Sequence, residues 1–128
     1  MAKKKKKSSG RSAATSTANT ASGFAKEIHF TSVAWKFYGE QSAEVRAAFD
    51  ARVAELATNG RLEMPHGKAI APNLYEIRVK VDPNQYRLFY CYAKADGIWV
   101  LSGFVKKTQK TPRREINKAK HIRAEVLK

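Results

Sequence analysis

Hydrophobic and polar positions change period along this chain, and the changes divide it into elements. From Lys26 to Phe30 the residues alternate as KEIHF, which predicts a short strand with Ile28 and Phe30 inward. Thr31 or Ser32 can cap a first helix that carries Val33, Ala34, Phe37 and Tyr38 on one face, and Gly39 interrupts it. A second helix is predicted from about Ser42 to Thr58, with Val45, Phe49, Val53 and Leu56 at helical spacing and Asn59-Gly60 as its stop. Residues 61–73 contain Pro65, Gly67 and Pro72 and read as an irregular linker.

The period then drops to two. Tyr75, Ile77, Val79 and Val81 form one face of a strand, and Glu76, Arg78 and Lys80 the other. In the next strand Tyr86, Leu88, Tyr90 and Tyr92 alternate with Arg87, Phe89 and Cys91. Directly opposed residues share a face, so keeping Arg87 off the aliphatic side requires paired residue numbers with an odd sum. A four-residue loop, Asp82-Pro83-Asn84-Gln85, meets that requirement and puts Pro83 where a type I turn favours it. Val81 then opposes Tyr86, and Lys80 opposes Arg87. Two facing cations repel, so an anion belongs between them: Glu76 from inside, or a phosphate from outside. A third strand covers roughly Ile98 to Val105 after an Asp96-Gly97 turn, and leads into Lys106, Lys107, Thr108, Gln109 and Lys110. Thr111-Pro112 starts a final helix, with a capping hydroxyl and proline at the first helical position. That helix turns Ile116, Ala119, Ile122 or Arg123, and Val126 inward, and Arg113, Arg114, Lys118 and Lys120 outward.

Length and composition then bound the class. The chain has 128 residues, of which 43% are apolar, enough for one domain with a modest core. Residues 1–23 are a lysine run followed by Ser, Thr, Ala, Gly and Asn, which cannot bury enough apolar area to offset ordering. They are expected to form a disordered basic tail ahead of a folded domain over 24–128. The single cysteine, Cys91, sits in an apolar strand and suits a reducing compartment. His29, His66, His121 and Cys91 show no metal-ligand spacing, so no metal site is expected. No stretch approaches the roughly eighteen apolar residues of a membrane span. The opening MAKKKKKSSG has a basic prefix but no apolar core behind it, so the expected location is cytoplasmic, without a membrane partner.

Charge sharpens the picture. The net charge is +14, unevenly placed: residues 1–23 hold six basic groups and no acid, 24–74 hold six of each sign, and 75–128 hold thirteen basic and five acidic groups. A neutral half and a basic half are expected when one face meets nucleic acid or another polyanion. Arg87, in mid-strand between Tyr86 and Leu88, is costly to bury unpaired. Two roles are open to it, a salt bridge to Glu76 or an anion-binding group. Lys106 and Lys107 are open between substrate contact and guarding a strand end. Tyr75, Tyr86, Tyr90 and Tyr92 read as core, with base stacking an option for Tyr92. Trp35 and Trp99 read as packing or partner-contact residues.

The order β-α-α-β-β-β-α, with LYEIRVK, then QYRLFYCY, then GFVKKTQKTPRREI, resembles the RelE/ParE toxin superfamily. The resemblance is nearest to the phage-derived, HigB-like toxins of type II toxin–antitoxin modules and covers about residues 26–127. It implies a RelE-like α+β fold, a mainly antiparallel sheet packed on an N-terminal helical hairpin with a C-terminal helix. It implies a ribosome-dependent endoribonuclease that cleaves translated mRNA by attack of a ribose 2′-hydroxyl on the adjacent phosphate, without a cofactor. The implied partners are the ribosome and mRNA, a helix-turn-helix antitoxin, and operator DNA through the antitoxin complex. Arg87 matches the family's phosphate-binding arginine; Arg78 and Lys80 match basic positions on the preceding strand; Lys106 or Lys107 matches the one after the last strand. Lys106, Lys110, Arg113 and Arg114 are expected to contact nucleic acid, and Lys107 to join the catalytic set. Glu76 stands where relatives often have a lysine and can serve as a carboxylate base. The tyrosine or histidine that several relatives place near the final helix has no counterpart, since Thr108, Gln109 and Thr111 occupy that segment. The same superfamily leaves a second role open, a non-catalytic binding module of the gyrase-inhibiting type.

Overall fold

The computed structural model describes residues 26–94 and 97–128; the tail expected over 1–23, and Asp96 of the expected turn, lie outside them. The elements are β1 (Ile28–Phe30), α1 (Ser32–Gly39), α2 (Ala43–Asn59), β2 (Gly67–Ala71), β3 (Leu74–Val81), β4 (Asn84–Ala93), β5 (Gly97–Lys106) and α3 (Arg113–Val126). The strands form one sheet in the order β1-β5-β4-β3-β2. Its pairs are antiparallel except β1 with β5, which is parallel. The α+β class and the order of elements agree with the sequence pattern, with one strand added.

That strand, β2, forms in the segment read as an irregular linker. Its residues, GKAIA, contain one β-branched side chain, so pairing with β3 rather than intrinsic propensity makes it a strand. It lies at the sheet edge, where flanking prolines are tolerated because the outer row of N–H groups needs no partner. Pro72-Asn73 closes the β2–β3 hairpin, with Asn73 at φ 50°. The Asn73 side-chain amide also exchanges two 2.9 Å hydrogen bonds with the Tyr92 backbone, tying the turn to β4.

Local chemistry sets the first two helices. The Thr31 hydroxyl accepts from the Ala34 N–H at 3.1 Å and that of Ser42 from the Val45 N–H at 3.2 Å, each satisfying an orphan donor of the first turn. Gly60, at φ 80°, ends α2 in the left-handed conformation that glycine adopts without a steric penalty.

Both faces of the sheet carry apolar clusters. On one, Ala34 of α1 and Val45, Phe49 and Leu56 of α2 pack on Ile77, Val79, Leu88, Tyr90, Ile98 and Val100. On the other, Ala119 of α3, flanked by Ile116, Ile122 and Val126, packs on Leu74, Phe89, Cys91, Leu101 and Phe104. This second face does not stay apolar. Its successive rows are Lys68–Glu76–Phe89–Ser102, then Arg78–Arg87–Phe104, then Lys80–Gln85–Lys106.

Candidate active site

The charged face begins with the β3–β4 register. The paired numbers have an odd sum, as the alternation required, but the turn is the two-residue Asp82-Pro83 and not the expected four-residue loop. Val81 therefore opposes Asn84, Lys80 opposes Gln85, and it is Arg78 that faces Arg87. Either register would pair apolar residues on the first face, so the aliphatic pattern cannot choose between them. The observed one sets Glu76 diagonal to Arg87, where its carboxylate reaches both facing guanidinium groups.

Glu76 and Arg87 are almost fully enclosed, 1% and 2% exposed. Glu76 Oε1 lies 3.4 Å from Arg87 Nε and 3.6 Å from Arg78 Nε, yet neither Nε–H is aligned to hydrogen-bond. Arg87 Nη2 donates to Gln85 Oε1 at 2.7 Å and Nη1 to the Tyr86 carbonyl at 3.2 Å. Burial lowers the Arg87 pKa below the usual arginine range, Glu76 opposes that shift, and Arg78 adds to it. The guanidinium stays charged nonetheless. Two cations around one carboxylate leave the cluster with one net positive charge.

The other expected residues divide into two groups. Lys106 ends β5 on the same face; burial first, then Arg87, Arg78 and Lys68, lower its pKa, while Glu76 pulls the other way. Lys80 is exposed at the rim and lies 3.7 Å from Asp82. Lys107, Lys110, Arg113 and Arg114 do not join the Glu76 cluster. With Phe104 and Lys120 they line a separate groove of about 690 Å³ along the start of α3.

The sequence pattern misplaced or missed several groups. The Thr111 hydroxyl does not cap α3; Pro112 is the N-cap residue and supplies no side-chain bond. Thr111 Oγ1 donates instead to Glu76 Oε2 at 3.3 Å, so the charge cluster takes the hydroxyl from the helix end. Tyr92 belongs to the opposite face, where its hydroxyl donates to the Gly60 carbonyl at 2.7 Å, and it does not reach the cationic surface. Of the alternatives on α3, Ile122 packs inward, while Arg123 Nη1 donates to the Pro72 carbonyl at 2.7 Å. Lys68 went unnoticed because its segment read as linker, yet it is paired with Glu76 on the charged face. GKAIA shows no alternation of polar and apolar residues, so nothing in the sequence pattern marked it as a strand.

A five-stranded sheet with helices packed on both faces makes this an α+β protein, and its fold is RelE-like by superposition. The chain superposes on an arginine-to-alanine double mutant of the E. coli toxin RelE in its free state with a TM-score of 0.59 at 22% identity, covering 76% of this chain and 96% of that one. Against the intact E. coli RelBE toxin–antitoxin complex the TM-score is 0.50 at 22% identity, covering 67% of this chain and 100% of that one. No curated protein matches the chain. The family described as "Phage derived protein Gp49-like (DUF891)" matches residues 36–124, and the chain belongs to it.

Proposed function

We propose that this protein is the toxin of a type II toxin–antitoxin module of the HigB-like branch, a ribosome-dependent endoribonuclease acting on translated mRNA in the cytoplasm. The observation that carries the proposal is the cationic group on one sheet face, the enclosed Arg87 opposite a half-buried Arg78, with a half-buried Lys106 alongside. In the reaction, the ribose 2′-oxygen bonds to the adjacent phosphorus as the bond to the 5′-oxygen breaks. The products are a 2′,3′-cyclic phosphate and a 5′-hydroxyl, with solvent water taking the 2′-hydroxyl proton and supplying one to the 5′-oxygen. Negative charge grows on the crowded phosphorane, and in this proposal Arg87, Arg78 and Lys106 stabilise it. Glu76, the carboxylate of the cluster, is enclosed between Arg78, Arg87 and Thr111, and its role in this proposal is to orient the two guanidinium groups rather than to meet the 2′-hydroxyl. Lys80 stands at the rim of the cluster, while Lys107, Lys110, Arg113 and Arg114 offer charge to neighbouring phosphates along the groove.

A cognate antitoxin, a helix-turn-helix protein that carries the pair to operator DNA, is part of the proposal. Likeness to a toxin solved with its antitoxin supports such a partner. One observation favours a second role, a non-catalytic inhibitor. Thr108, Gln109 and Thr111, between β5 and α3, do not titrate near neutrality and offer no proton to a leaving oxygen. Mapping RNA 5′ ends in a reconstituted translation reaction decides between the two. Cuts in the translated message, absent from naked RNA and lost with Arg87→Lys, are expected; an intact message overturns the nuclease proposal.

A further inference from the structure

Building on the RNA-cleaving role proposed above, we propose that Lys68 on edge strand β2 holds the phosphate next to the one seated on Arg78 and Arg87, so that the RNA strand crosses the sheet toward β2. The register pairs Lys68 with Glu76, and paired residues share a face, so its side chain starts one strand away from the cluster, roughly 5 Å. Glu76 is its natural counter-ion, but that carboxylate is taken by Arg78 and Arg87, and among the described residues Lys68 forms no ion pair. A cation facing an already engaged carboxylate is spare positive charge at the border of an anion seat. Lys106 stands on the far side, on β5, and its electrostatic surroundings include Lys68 as well as Arg87 and Arg78. The two lysines thus bracket the guanidinium pair across the four neighbouring strands β2, β3, β4 and β5. A single phosphate cannot engage both ends of that span, whereas successive phosphates of one strand can.

The bland alternative is that Lys68 only guards an exposed sheet edge against pairing with another chain. Such a role needs a charge but no particular phosphate, and the test turns on that difference. Binding of a short, uncleavable 2′-O-methyl oligonucleotide would be measured against salt for the full chain, Lys68→Gln, Lys68→Arg and Arg87→Lys. A methylphosphonate, which removes one negative charge, would be placed at each phosphate in turn. Lys68→Gln is expected to make the log–log salt dependence shallower by about 0.7, the contribution of one neutralised single-strand phosphate, and Lys68→Arg to restore it. The Lys68→Gln deficit is expected to vanish at one methylphosphonate position, adjacent to the position where the Arg87→Lys deficit vanishes. A deficit spread equally over all positions, or none at all, overturns the assignment. If Arg87→Lys also leaves both binding and message cleavage unchanged, the nuclease proposal fails with it; if only the Lys68 deficit is missing, that proposal stands and Lys68 is an edge guard.

Discussion

At the scale of single residues, the Glu76–Arg87 pair has two jobs that pull in different directions. A buried ion pair adds little net stability over an apolar pair, but removing one partner leaves the other charge stranded. Arg87→Ala is therefore expected to cost about 3 kcal/mol in urea unfolding, the lower part of the usual range because Arg78 still faces Glu76. Replacing both, as Glu76→Leu with Arg87→Met, is expected to recover most of that loss while cleavage stays down by roughly 100-fold or more. Recovery of cleavage along with stability would show that the pair is structural only. Lys106 makes a second case. Its pKa is lowered by burial and by neighbouring cations, so over the interval between its folded value and the usual 10.5 the unfolded chain binds more protons. Its contribution to stability thus rises with pH across that window, while its charge for phosphate is lost across the same window. Affinity for the uncleavable oligonucleotide, followed from about pH 8 to about pH 11, is expected to begin falling before ordinary lysines titrate. Lys106→Arg is expected to remove that early step.

At the scale of elements, the packing of α1 on β5 is held close by Gly103. A Cβ there would come within 2.3 Å of the Phe37 ring and 2.8 Å of Leu88, so Gly103→Ala forces the helix away from the sheet. The expected cost is about 1–3 kcal/mol by thermal or urea unfolding, partly relieved by adding Phe37→Leu. An unchanged stability would mean that α1 is free to shift. The helix ends were readable because their signals are local: a hydroxyl before α1 and before α2, and a glycine after α2. The end of α3 was not, because Thr111 has a stronger claim on it, a carboxylate 35 positions away in sequence. Strand β2 escaped for a similar reason, since its partner and not its own composition makes it a strand.

At the scale of the whole molecule, charge divides between the N-terminal stretch, expected as a tail, and one face of the sheet. Residues 1–23 carry six of the 25 basic groups and no acid. A chain lacking them is expected to bind oligonucleotide with a shallower salt dependence, by about 0.7 for each phosphate that the tail had neutralised, while the position of mRNA cuts stays the same. A change in cut position would assign the tail a part in choosing the site. The division of the remaining sequence into a neutral and a basic half is only partly spatial. Lys68 belongs to the neutral half by sequence and to the charged face by register.

The sequence by itself determined the class of fold, the capped starts of α1 and α2, and the alternation that puts Arg78, Arg87 and Glu76 on one side of the sheet. Periodicity and capping depend on neighbours a few residues apart, and the chain displays those directly. Only the tertiary structure decided that Arg78 rather than Lys80 faces Arg87, that Thr111 serves Glu76 rather than α3, and that Lys68 joins the charged face. Each is a choice between arrangements that satisfy the same local pattern. What selects among them is the cost of burying charge, which depends on which strands and helix ends meet around it.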